Sequence, residues 1–171
     1  MRMRLRKSVF QWFKIKILYT IEMVVEAVSV LNTRSVQGTV LFSDRKSGLY
    51  IEAVFTRLPA GKHGFHIHKA GDLRGEGCKM ACDHYHKGAP EDHGGPPGWK
   101  GPRHTGDLGN IEGVGTYRYT LKDVSVEDIM GRSMIVHAGE DDYGLGGKDD
   151  SLKTGHSGAR IACAVIGRVM C

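Results

Sequence analysis

Short apolar runs rich in β-branched residues recur along this chain, and Gly or Asp separates one from the next. EAVSVLN (26–32), VQGTVLFSD (36–44) and LYIEAVFTRL (49–58) each alternate in part between apolar and polar positions. That period of two predicts half-buried strands. GFHIHKAGD (64–72), TYRYTLKDVSV (116–126), MIVHAG (134–139) and ARIACAVIGRV (159–169) continue the pattern. Outside the first two dozen residues no stretch keeps a helical period. Two long segments carry no strand signal: 71–113, rich in Gly, Pro and His, and 139–158, rich in Gly and Asp. Loops of this length in a compact domain usually carry function. The pattern predicts an all-β antiparallel sandwich or flattened barrel with two elaborate loops. Neither an internal repeat nor a linker interrupts it.

A chain of 171 residues fits one domain with a sizeable core. Its formal net charge of +5 is localised. Residues 1–24 hold six Arg/Lys and one Glu, which leaves eighteen charges of each sign for the rest. The domain itself, residues 25–171, therefore offers no basic surface for nucleic acid. In the extension, Lys14, Lys16 and Glu22 break the apolar run, and no small-residue cleavage site follows. A membrane span is excluded on the same grounds. An interfacial helix with Phe10, Trp12, Phe13 and Ile17 on its apolar side is one reading. The other is a disordered or dispensable extension, with Met23 as the functional start.

Eight of the nine histidines lie between His63 and His137. In the fragment GFHIH (64–68), His66 and His68 share one face of a predicted strand, because side chains two apart point the same way. Downstream stand His84, His86, His93, His104, Asp107 and His137. Imidazole nitrogens and carboxylate oxygens are both metal ligands. These groups are enough for two metals that share a ligand.

GFHIH, HGGP (93–96), RHTGDLGN (103–110), IVH (135–137) and GARIACAVIG (158–167) together resemble the copper/zinc superoxide dismutase family. The resemblance runs from about Val25 to the C-terminus. It implies a Greek-key β-barrel of about eight antiparallel strands, with a long metal-binding loop and an electrostatic loop. It also implies that His66, His68, His84 and His137 bind copper, and that His84, His93, His104 and Asp107 bind zinc. Two histidines compete for the bridging position. The family places it six residues after the first disulfide cysteine and before an aromatic, which selects His84 with Tyr85 after it. His86 is then expected to be a solvated loop residue. By the same resemblance Asp141 ties His66 to His93, and Asp142 is a solvated charge. Arg160 docks the anionic substrate, and Asp149, Asp150 and Lys153 lie in the electrostatic loop. Cys78 and Cys163 would form a disulfide, worth about 4 kcal/mol in the chain-entropy model. Cys82 and Cys171 are expected as free thiols.

The implied activity is an oxidoreductase reaction. A Cu(II)/Cu(I) cycle turns superoxide into dioxygen and hydrogen peroxide, with zinc in a structural role and His84 exchanging a proton. Further implied partners are a second copy of the chain and a copper-loading chaperone. A homodimer would pair through AVIGRV (164–169) and AGDLRG (70–75), and Arg168 would then need a partner such as Glu26 or a wet rim. The expected compartment is the cytoplasm, or a secreted or membrane-associated setting if residues 1–24 act as a targeting segment. A metallochaperone and a zinc-only structural barrel are the competing readings. The complete set of candidate copper ligands, and the absence of an MxCxxC module, weigh against them.

Overall fold

The structure, a computed structural model, describes residues 24–89 and 91–170. The expectations for Phe10, Trp12, Phe13 and Ile17, and for Cys171, lie outside the described residues. Nine strands are present among these residues: β1 (Ala27–Asn32), β2 (Gln37–Arg45), β3 (Gly48–Arg57), β4 (Lys62–His68), β5 (Asp107–Glu112), β6 (Gly115–Leu121), β7 (Ser133–His137), β8 (Arg160–Val165) and the two-residue β9 (Gly167–Arg168). All the pairings are antiparallel. One sheet has the order β6-β3-β2-β1-β9 and the other β5-β4-β7-β8. The chain changes sheet after β3, β5, β6 and β8, which makes this a Greek-key sandwich closing toward a barrel. Ser29 Oγ donates to the Ala164 carbonyl across the β1–β8 seam.

Alternation builds the core. Ala27 and Leu31 of β1, Leu49, Ile51, Ala53 and Phe55 of β3, and Phe65 and Ile67 of β4 all point inward and are buried. Phe55 meets Phe65 edge to face, with ring centroids 5.5 Å apart. In β4 the opposite face is buried too, because the long loops cover His66 and His68.

Three departures from the sequence reading have physical causes. Strand β5 lies inside the segment expected to be loop. Its sequence, DLGNIE, has few strand formers, and its Gly109 takes a φ of 77° where Pro96 packs close. The strand expected over 116–126 stops at Leu121, and Ser125 instead starts the short helix α1 (Val126–Ile129) through a capping box with Asp128. A second short helix, α2 (Ser151–Thr154), sits in the Gly/Asp-rich loop and ends at Gly155 in the left-handed conformation.

Candidate metal centre

Three neighbouring strands and two loops supply the site, with Asp107 at the start of β5. His66 and His68 come from β4, and His137 ends the neighbouring β7. Register shifts fall between Gly64 and His66 and between Val136 and His137, which re-aim side chains beside the site. The first long loop returns to β4 through an isolated bridge between His68 and His84. Tyr85 N–H donates to the Ile67 carbonyl at 2.8 Å, which fixes His84 against that strand.

Candidate ligand atoms of His66, His68, His84 and His137 lie within 4.8 Å of one another, and so do those of His84, His93, His104 and Asp107. His84 belongs to both groups. Its Nδ1 lies 2.8 Å from Asp107 Oδ1 and 3.2 Å from His93 Nδ1. Its Nε2 is buried with no hydrogen-bond partner, as is His66 Nδ1, while His104 Nδ1 makes only a long contact of 3.4 Å to Asp107 Oδ2. An unpartnered buried nitrogen is costly unless something binds it. The first group presents imidazoles alone, and the second three imidazoles and one carboxylate. These donor sets fit copper and a four-coordinate zinc respectively.

The second imidazole nitrogens of His66, His93, His68 and His137 are tied down, which fixes those rings. His66 Nε2 and His93 Nε2 meet the two oxygens of Asp141 at 2.8 and 2.7 Å. His68 Nδ1 faces the Cys82 carbonyl at 2.8 Å, and His137 Nδ1 faces the Gly158 carbonyl at 3.1 Å. Asp107 Oδ2 accepts from the backbone N–H groups of Gly94 and His104.

Charge follows this geometry. Burial pushes His66 and His137 down to about 4 and His84 to about 3, and it holds His68 well below its ordinary value. These rings are neutral at pH 7, the form that ligates metal. His93 differs. Burial opposes its charge, but bonds to Asp107 and Asp141 outweigh that and raise it to about 9. Asp141 is buried, yet its bonds to His66 and His93 lower it to about 2, and Asp107 is lowered further by His104, His84 and His93.

The other residues singled out in the sequence are placed as follows. Arg160 pairs with His137 in the β7–β8 register. Its Nη1 donates to the Cys78 carbonyl at 2.5 Å and its Nη2 to the Cys82 carbonyl at 2.6 Å. Cys78 and Cys163 form a disulfide, and Cys82 is an exposed free thiol. His86 belongs to neither ligand group. It is half-buried, and its Nδ1 accepts from Thr105 N–H at 3.2 Å, so it is a loop strut where solvation was expected. Asp142 also departs from expectation. It accepts from Ser151 Oγ at 2.5 Å and from Gly144 N–H at 2.9 Å, because the loop turns back on itself there. Asp150 pairs with His156 at 2.6 Å, while Asp149 and Lys153 are exposed. Arg168 pairs with Glu127 at 2.9 Å and not with Glu26, whose carboxylate accepts from Asp44 N–H.

Sequence reasoning passed over two supports. His63 is buried, with Nδ1 2.9 Å from the His137 carbonyl, and only its place directly before GFHIH hinted at a role. Arg103 donates to the carbonyls of Gly95, Thr105 and Asp107 and so holds the loop that carries His104.

The family model for copper/zinc superoxide dismutase matches residues 36–166. A superoxide dismutase [Cu-Zn] of Paramecium bursaria Chlorella virus 1 is 45% identical over 151 residues, spanning 84% of this chain and 78% of the relative. A copper chaperone for superoxide dismutase from Rattus norvegicus is 41% identical over 148 residues, but these span 83% of this chain and only 53% of the chaperone. Among solved structures, the clock protein EA4 superposes with a TM-score of 0.74 at 37% identity, covering 85% of this chain and 95% of that one.

Proposed function

The chain belongs to the copper/zinc superoxide dismutase family, and we propose that it carries out the family's reaction on the side chains described above. Two superoxide anions and two protons give one dioxygen and one hydrogen peroxide. The observation that carries this reading is His84, whose Nε2 is unpartnered among His66, His68 and His137 while its Nδ1 faces Asp107. His66, His68, His84 and His137 would hold copper, and His84, His93, His104 and Asp107 would hold zinc. Bound copper supplies the one-electron Cu(II)/Cu(I) couple, and bound zinc a fixed positive charge.

The chain's own residues do the rest. Arg160 binds the anion: its guanidinium keeps its charge and sits in the register position opposite His137. The carbonyls of Cys78 and Cys82 orient it. His84 holds and delivers a proton at Nε2. Burial disfavours its charged form, so that proton leaves readily for a basic oxygen. Asp141 orients His66 and His93 together.

We further propose that residues 25–171 form the catalytic domain, that residues 1–24 are dispensable to it, and that the protein works in the cytoplasm. No helix among the described residues is long and apolar enough to cross a membrane. A homodimer is supported by the exposed Val169 and by the exposed Val165, which packs beside Gly71. Arg168 needs no partner across such an interface, because Glu127 of its own chain neutralises it. A copper-loading chaperone is the proposed protein partner.

The test is metal analysis with a superoxide-decay assay on as-purified and copper-reconstituted protein. One copper and one zinc per chain with rapid decay support the reading. A zinc-loaded protein that takes up copper without accelerating decay would sink it and favour a metal-handling role.

A further inference from the structure

We propose that Trp99 and Tyr143 form an aromatic latch that orients Asp141 and thereby sets how tightly the second group of ligands holds zinc. The inference rests on the reading of Asp141 as the tie between His66 and His93. Neither aromatic belongs to the ligand groups, and each sits on a different long loop.

Tyr143 is fixed at three points. Its backbone N–H donates to Asp141 Oδ1 at 2.8 Å, the same oxygen that meets His93 Nε2. Its hydroxyl accepts from Asn110 Nδ2 at 3.0 Å. Its ring centroid lies 5.6 Å from that of Trp99. Asn110 in turn grips the Asp141 backbone from both sides, donating to its carbonyl at 2.9 Å and accepting from its N–H at 2.8 Å. The aspartate is therefore held by Asn110 at its main chain and by Tyr143 at its carboxylate.

This hold has a conformational cost. Tyr143 has a φ of 59°, a left-handed backbone that non-glycine residues rarely adopt. Only that turn brings its N–H onto the carboxylate while the ring lies back along the first long loop. Something must keep the ring there, and Trp99 is placed to do so. Its indole lies over Gly95, where a Cβ would overlap it, and Gly101 leaves room at its Nε1 edge. The backbone N–H of Trp99 donates to the Pro96 carbonyl at 3.0 Å, which closes the turn presenting the indole. The same turn follows His93, so the latch joins a candidate zinc ligand to the loop that carries its carboxylate partner. Removing the support of a ligand's orienting carboxylate typically weakens metal affinity by roughly 10–100-fold.

The experiment measures Zn(II) affinity of the metal-free full-length chain by competition with a chromophoric chelator at fixed pH. Trp99→Leu and Tyr143→Leu should each weaken zinc by roughly tenfold or more. The double variant should be no weaker than the worse single, because both break one latch. Tyr143→Phe keeps the ring and the N–H, and should retain most of the affinity. If Tyr143→Leu does not fold, Tyr143→Gly relieves the backbone and removes the ring, and it carries the same expectation. Asp141→Asn is the control for the underlying reading. If it weakens zinc while the Trp99 and Tyr143 variants match wild type, the latch is wrong and the Asp141 tie stands. If the two single losses multiply in the double variant, the residues act separately and the latch is equally overturned. If Asp141→Asn leaves zinc affinity unchanged, the tie itself falls and the latch with it.

Discussion

Arg160 donates through Nη2 to the carbonyl oxygen of Cys82 at 2.6 Å, and the same oxygen faces Nδ1 of His68. One peptide group thus positions both a candidate copper ligand and the cation beside the site. Cys82 takes a φ of 60° there, and Cys78, whose carbonyl holds the other arm of Arg160, takes 56°. The turn is constrained at each end, and the disulfide from Cys78 to Cys163 pins it to β8.

Replacing Arg160 with Glu should slow superoxide consumption on the order of tenfold or more, since a repulsive charge replaces an attractive one at the site. Copper and zinc contents should stay near wild type, because no metal ligand is removed. Unchanged activity with both metals bound would show that the anion docks elsewhere.

His84→Ala and His86→Ala should separate cleanly. His84 contributes to both ligand groups, so its loss should disturb the copper spectrum, lower zinc content and largely abolish dismutation. His86 bonds only the turn at Thr105, so its loss should leave metals and rate close to wild type, at a stability cost of about 1 kcal/mol. The check is metal content and rate on both variants in parallel. The reverse pattern would move the bridge to His86.

Metal-free protein should be most stable near pH 6.5. His66, His84, His137 and His68 are held below their ordinary value of 6.5 in the fold. The unfolded chain therefore binds more protons from about pH 6.5 down to about 3, and stability falls as pH drops through that window. His93 is raised to about 9, so its contribution is full below 6.5 and is lost as pH rises toward 9. Calorimetric Tm of the metal-free chain against pH reads both limbs. A flat profile from pH 4 to 9 would contradict the burial assigned to these rings.

Cys163→Ser should destabilise the protein by up to about 4.6 kcal/mol, the chain-entropy figure for a loop whose ends are 85 residues apart. It should also lower activity by freeing the turn that holds Arg160. Denaturant midpoints and rates on fully metallated protein measure the two effects. Lost stability with an unchanged rate would show that the turn keeps its shape without the bridge.

A chain beginning at Met23 should keep the metal content and rate of the full-length protein. The extension carries the net +5 charge but none of the candidate ligands. A large loss of rate at low salt, recovered at high salt, would instead give its charges a part in attracting the anion.

By itself the sequence determined most of the strand pattern and the pool of candidate ligands. Period-two runs identified β1 to β4 and β6 to β8, because one buried face leaves a regular trace. His66 and His68 were legible for the same reason, since strand geometry alone puts them on one face. Strand β5 left no such trace: Asp107 turns into the ligand group, and Gly109 is there for the close approach of Pro96. The choice between His84 and His86 rested on resemblance, and only tertiary structure gave it a physical basis. Residues two apart on an irregular loop have no fixed facing, and the bridge from His68 to His84 decides which one turns inward. Arg168 and Glu127, Asp142 and Ser151, and Trp99 and Tyr143 were equally beyond reach. Each pair joins segments whose approach depends on how the loops fold over the barrel, and no local period in a sequence encodes that approach.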